Sequence, residues 1–319
     1  MIGRRALMPL LAAPLMAQAP WTPNRPVTLV VPFPPGGPTD LAGRVVQPGM
    51  SAALGQPVVV DNRPGATGAI GSRYVAAAAP DGHTLLVAAS GTLTINPVVM
   101  RAPGYDVERD FAPVTLVMSA PNILVTHPSV PARTVQEVVA WIRGQRGGVN
   151  YASSGVGSSE QLGMELFRLR AGVEAQPVIF AGGPAAMQAV VANQVPVAIL
   201  NGATVSPQVQ AGALRAVAVA GPRRFAALPD VPTMAEAGMP EIISGSWTAV
   251  VAPAATPAPV LDRLNEVMVA ALRTPEVTER LARVGFSVDA SGRAELGRLI
   301  AAELARWREV VREAGIELV

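Results

Sequence analysis

Short runs of β-branched and aliphatic residues alternate with longer alanine-rich stretches along most of the chain. The runs at residues 27–31, 57–61 and 84–88 have the length and composition of strands. Residues 41–54 and 70–79 between them have helical spacing. This βαβαβ order predicts a parallel sheet with helices on both faces. A second series begins after Asn122. Its strands are expected at 123–126, 149–152, 177–180, 195–200 and 214–219, and its helices at 134–143, 159–169, 184–193 and 206–211. One more apolar strand is expected at 247–252. Helices at 257–271, 275–284 and 293–314 then end the chain.

Two α/β series followed by terminal helices predict two lobes. Residues 20–122 with 248–319 form the first lobe and residues 123–247 the second, the chain crossing near Asn122 and again near Ser246. A ligand is then expected between the lobes, at the carboxyl ends of the parallel strands. No internal repeat, heptad run or low-complexity segment beyond alanine richness is present.

Small, polar, glycine-containing loops follow several of these strands. VVPFPPGGPTD (30–40) reads as strand, rigid proline-glycine turn and helix start. Gly36 and Gly37 permit close backbone approach, and Thr39 or Asp40 can cap the helix. Ser90-Gly91-Thr92, the run 153–159 and Ala181-Gly182-Gly183 are the other loops of this kind. Each by itself reads more readily as an ordinary turn. Together they offer amides, hydroxyls and helix N-termini with almost no charge, which suits a carboxylate.

Catalytic patterns are weak. Ser153 and Ser154 lack the G-x-S-x-G setting of a nucleophile elbow, and GVGSSEQ (155–161) lacks the ending of a P-loop. The only histidines are His83, in the Asp81-Gly82-His83 turn, and His127, before Pro128; both are expected to be solvated. A serine hydrolase would need one of them within reach of a serine. No spacing indicates a metal site, and no cofactor is expected.

Composition narrows the picture. Half of the 319 residues are hydrophobic, as in a globular protein. The chain has no cysteine, which excludes disulfides and thiolate chemistry, and no lysine, so all 25 basic residues are arginines. Arg4 and Arg5, the apolar run 6–16 and the small residues Ala17 and Ala19 read as an export signal over residues 1–19. A frayed N-terminal helix is the alternative. Removing two arginines from a chain of formal charge +2 leaves a neutral mature protein. No basic stripe marks a nucleic-acid partner, and nothing after the signal is long and apolar enough to span a membrane.

Taken in order, these motifs resemble the Bug receptor family, the substrate-binding proteins of tripartite tricarboxylate transporters. The resemblance is carried by VVPFPPGGPTD (30–40), LGQPVVVDNRPGATGAIG (54–71), APDGHTLLVAASGTLTINP (79–97) and DFAPVTLV (110–117). NYASSGVGSS (150–159), AGALRAVAVAGPRRFAALPDVPTMAEAG (211–238) and PEVTERLARVGF (275–286) continue it, with Asn62-Arg63-Pro64-Gly65-Ala66 a distinctive marker. It implies a type II two-lobed periplasmic binding protein fold, two Rossmann-like α/β domains joined by two crossover strands. It also implies a monomer that closes on a small organic carboxylate and passes it to membrane permease subunits; some members serve sensory systems instead. The residues it implies for the ligand are Phe33, Pro35, Gly36, Gly37, Thr39 and Asp40, then Ser90, Gly91 and Thr92, then Ser153, Ser154, Gly155 and Ser158. Ala181 and Gly182 stand where the family often has Lys-Gly, and Leu200 where it often has aspartate at a strand end, while Trp247 is kept. With Leu200 unable to pair with an ammonium group, the expected ligand is a less polar carboxylate, not an amino acid.

Overall fold

The computed structural model describes residues 21–318. The expected export signal therefore lies outside the described residues. Strands β1 (Val27–Val31), β2 (Val58–Asn62) and β3 (Thr84–Ala89) alternate with helices α1 (Pro38–Leu54) and α2 (Ala69–Ala76). A π-helical turn (Gly91–Ile95) and the short helices α3 (Asn96–Val99) and α4 (Val107–Asp110) lead to β4 (Phe111–Thr126). The second series follows as α5 (Val135–Arg143), β5 (Val149–Ser153), α6 (Ser159–Ala171), β6 (Ala175–Ile179), α7 (Gly183–Val191), β7 (Val197–Asn201), α8 (Gly202–Gln210) and β8 (Arg215–Val219). Then come β9 (Gly245–Pro253), α9 (Ala258–Leu272), α10 (Pro275–Arg283), β10 (Ser287–Val288) and α11 (Arg293–Ala314).

The strands run in the order β2-β1-β3-β9-β4-β7-β5-β6. The pairs β1–β2, β1–β3, β5–β6 and β5–β7 are parallel, as the alternating pattern predicts. The two crossover strands are antiparallel to their neighbours: β9 pairs with β3, and β4 pairs with both β9 and β7. β4 is longer than its sequence pattern indicates. Its first part pairs with β9 up to Pro121, and from Asn122 it pairs with β7, so one strand serves both lobes. Pro113 and the register shifts beside Pro113 and Leu116 break the alternation that would have marked the first part as strand.

At Pro121 β4 passes from pairing with β9 to pairing with β7. A methyl group on Gly245 would lie 2.8 Å from the Ala120 carbonyl oxygen, and one on Gly202 would lie 2.9 Å from that of Pro121. The crossover strands therefore approach more closely than side chains permit. Beside Pro121, Asn122 Nδ2 donates to Ser244 Oγ at 2.8 Å, and Ser244 Oγ donates to the Ser159 carbonyl at 2.7 Å. The carboxyl ends of both sheets converge here. Ala89 of β3 pairs with Thr248, which also pairs with Met118, and Asn201 of β7 pairs with Asn122.

α11 spans both lobes. Leu296, Ile300 and Leu304 pack with Leu86, Leu93 and Trp247, whereas Trp307, Val310 and Val311 pack with Leu162, Phe167 and Ile199. Arg170 on α6 is paired with Glu309 and Glu313 near its end. Among the described residues no helix is long and apolar enough to cross a membrane.

Candidate ligand site between the lobes

The loop after β1 is held in shape from within. Asp40 is 3% exposed. Its Oδ2 accepts from the Gly36 amide at 2.9 Å and from Arg44 Nε at 2.8 Å, and its Oδ1 accepts from Asn62 Nδ2 at 2.9 Å. Asn62 Nδ2 also reaches the Phe33 carbonyl at 3.1 Å. The Arg44 hydrogen bond, more than any other contact, holds the Asp40 carboxyl down at about 2. Asp40 and the Gly36 amide, both expected to meet ligand, are thus committed to bracing the loop. Gly36 turns it at φ +89. What remains open to a ligand is the start of α1. Gly37 is its N-cap with no side-chain cap, and the first-turn amides have no intrahelical acceptor.

The loop after β2 comes next to this one. Gly65, Ala66, Thr67 and Gly68 all have positive φ (132, 46, 50 and 93), which for Ala66 and Thr67 is a strained conformation. A methyl group on Gly68 would lie 2.9 Å from Thr92 Oγ1 and 3.2 Å from Phe33 Cζ, so three separate loops meet at this point. Gly68 is absent from the expected site residues, although the adjoining Asn62–Ala66 run is a clear marker in the sequence. Thr92 lies in the π-helical turn, where its hydroxyl is buried without a hydrogen-bond partner. The turn is fixed from outside. Thr94 Oγ1 lies 2.9 Å from the Ser90 carbonyl, Tyr105 Oη donates to the Thr92 carbonyl at 2.6 Å, and Asn96 Nδ2 donates to the Thr67 carbonyl at 2.9 Å. Ser90 Oγ lies 3.5 Å from the Trp247 amide. Trp247 itself packs among Leu86, Leu93 and Leu296.

The second lobe supplies the other wall. Ser153 is buried, with Oγ 3.1 Å from the Gly155 carbonyl and 3.3 Å from Ser158 Oγ. Ser158 caps α6 by accepting from the Gln161 amide at 3.1 Å. The Gly182 amide donates to the Ser154 carbonyl at 3.1 Å, which joins the loops after β5 and β6. Ala181 is exposed beside it. A methyl group on Gly157 would lie 3.1 Å from Val99, so the two walls touch there. Leu200 corrects the sequence reading. It is fully buried among Ile123, Ala152 and Val205, because strand side chains alternate and this one points into the core. The partly exposed residue at the end of β7 is Asn201, whose Nδ2 donates to Ser246 Oγ at 2.7 Å.

Neither histidine approaches these serines. His83 is buried, contrary to expectation, and stacks edge-on with Trp21 at 5.6 Å. It lies at the amino end of β3, opposite Ser90. Both its ring nitrogens lack hydrogen bonds, although Nδ1 is within 3.2 Å of Asp81. His127 is half-buried and contacts Ser129 Oγ at 2.7 Å. It follows Thr126, which pairs with Val197, the far end of β7 from Asn201. Among the described residues no cluster of His, Cys, Asp and Glu has the makings of a metal site.

The family described as tripartite tricarboxylate transporter family receptor matches residues 42–316. The chain belongs to that family. The receptor is 37% identical to Protein BugT of Bordetella pertussis over 97% of this chain and 94% of that protein. Among solved structures, Rpa4515 of R. palustris with adipate is 35% identical, with a TM-score of 0.74 over 92% of this chain and 99% of that one. MatC of Rhodopseudomonas palustris with bound malate is 34% identical, with a TM-score of 0.71 over 91% and 99%. The receptor fold accounts for the layout above: the loops of both walls lie at strand carboxyl ends, gathered around the crossover strands β4 and β9.

Proposed function

We propose that this receptor binds a small organic carboxylate between its lobes and passes it to the permease of a tripartite tricarboxylate-type transporter, without catalysing a reaction. The buried, unpartnered Thr92 hydroxyl carries this reading: it sits beside Phe33 in a wall of uncharged loops. Such a wall recognises an anion through amides and hydroxyls. Relatives with adipate and with malate support the ligand class. In our reading the ligand meets Phe33, Pro35, Gly37 and Thr39, and Ser90 to Thr92, from the first lobe, and Trp247 on the crossover strand β9. Ser154, Gly155, Ser158, Ala181 and Gly182 face it from the second. The moving bodies are residues 20–122 with 248–319, and residues 123–247, closing about Pro121. The mature protein works in the periplasm after loss of residues 1–19.

A thermal-shift screen of the mature protein against mono- and dicarboxylates tests the reading. A ligand at a hundredfold excess over its dissociation constant adds about 2.7 kcal/mol to stability. If no carboxylate raises the melting temperature, the reading fails.

A further inference from the structure

Two half-buried polar side chains meet where the lobes cross: Asn201 at the end of β7 and Ser246 near the start of β9. The residues before and after them in their strands, Leu200 and Trp247, pack into the cores. Strand side chains alternate, so Asn201 and Ser246 take the opposite faces. Both walls of the cleft border Ser246. The amide of the next residue, Trp247, lies 3.5 Å from Ser90 Oγ. β3 pairs with β9 only from Thr248 onward, so it has already ended where β9 reaches Ser246. On the other side the Ser246 side chain touches Asn201, at the carboxyl end of β7.

The hydrogen bonds of this pair have one possible direction. Asn201 is the N-cap of α8, and its Oδ1 accepts from the Ala203 amide at 3.0 Å. A backbone N–H can only donate, so the oxygen end of the Asn201 amide faces Ala203 and the nitrogen end faces Ser246. That nitrogen can only donate as well, and it does so to Ser246 Oγ at 2.7 Å. The Ser246 proton therefore points away from Asn201. Among the described residues no other protein group accepts it. In the free protein this proton is left to water.

We propose that Ser246 is a ligand-binding residue on the floor of the cleft, where its hydroxyl donates to a carboxylate oxygen of the ligand, and that Asn201 is the positioning residue that aims this proton. The proposal rests on the cleft reading given above and adds a donor from the crossover strand to the amides and hydroxyls of the two walls. A carboxylate oxygen replaces the water with a charged acceptor, and hydrogen bonds to charged groups are the stronger ones. Asn201 comes from the second lobe, so the aim of the donor depends on how that lobe stands against β9.

Calorimetry with adipate, malate and a panel of other small carboxylates tests this in a cycle of four proteins: wild type, Ser246→Ala, Asn201→Ala and the double variant. For a carboxylate that binds wild type, Ser246→Ala is expected to weaken binding about tenfold or more, the effect of one hydrogen bond to a charged group. Its melting temperature without ligand is expected to stay at the wild-type value. Asn201→Ala also removes the cap of α8, so it is expected to melt lower in both backgrounds. Its effect on affinity is expected to differ between them: about threefold weaker binding when Ser246 is present, as for residues in contact, and no further loss when Ser246 is already alanine. Ser246→Ala binding as tightly as wild type overturns the proposal and leaves the cleft reading standing. Asn201→Ala weakening binding equally in both backgrounds overturns the positioning role. If wild type binds no carboxylate, the cleft reading fails and takes the proposal with it.

Discussion

Asp40→Asn separates a loop brace from a ligand contact. All three groups that meet the Asp40 carboxylate are donors: the Gly36 amide, Arg44 Nε and Asn62 Nδ2. An asparagine must turn its own N–H towards one of them. Lowering the carboxyl from its ordinary 3.8 to about 2 corresponds to about 2.5 kcal/mol at most, at roughly 1.4 kcal/mol per tenfold. Arg44 is half exposed and solvent screens part of the pair, so about 1–2 kcal/mol is expected. A depressed carboxyl contributes stability above its unfolded value and loses it as the pH falls through the folded one. Urea unfolding from pH 7 down to pH 2 should therefore show the variant weaker by that amount at pH 7. The two curves should converge as the pH drops from about 4 to about 2. Equal stability at pH 7, or a gap that persists undiminished at pH 2, would refute the brace.

Thr92→Val removes the unpartnered hydroxyl while keeping its volume; carboxylate affinity should fall about tenfold or more with little change in melting temperature, as measured by calorimetry. A methyl group on Gly37 would meet nothing closer than the Pro34 carbonyl at 4.0 Å, so Gly37→Leu should fold normally and yet abolish the ligand-induced thermal shift. Gly245→Val forces apart crossover strands in close contact, and should both lower stability and weaken binding, read in the same unfolding and calorimetric assays. Aspartate and glutamate should give no thermal shift: Asp40 is fully committed to its own loop and leaves no free partner for an ammonium group.

Much of this organisation is legible in the chain itself. β1 and α11 fall on their expected bounds, and the parallel order follows from the alternation of strands and helices. What escapes the sequence depends on long-range partners. The π-helical turn at Gly91–Ile95 is held by Tyr105 and by the Thr94 side chain, and no local pattern encodes that. Asp40 looks like a free acid at a cleft until Asn62 arrives from another strand. Leu200 and Asn201 differ by a single residue, which in a strand inverts the face, so the core takes Leu200 and the strand end presents Asn201. The run Gly65–Gly68 carried a visible signal, two glycines around Ala-Thr, but its left-handed backbone shows only in three dimensions.

The position of β9 governs the order in which the molecule can be built. It lies between β3 and β4, yet residues 245–253 leave the ribosome after both and after the whole second series. The first sheet therefore waits, with β3 and β4 unjoined, until late in synthesis, and α11 must follow before either core is covered. A nascent chain ending before Gly245 should remain open to protease. Late completion of this kind keeps a polypeptide threadable, the condition under which a chain can cross a membrane before it folds.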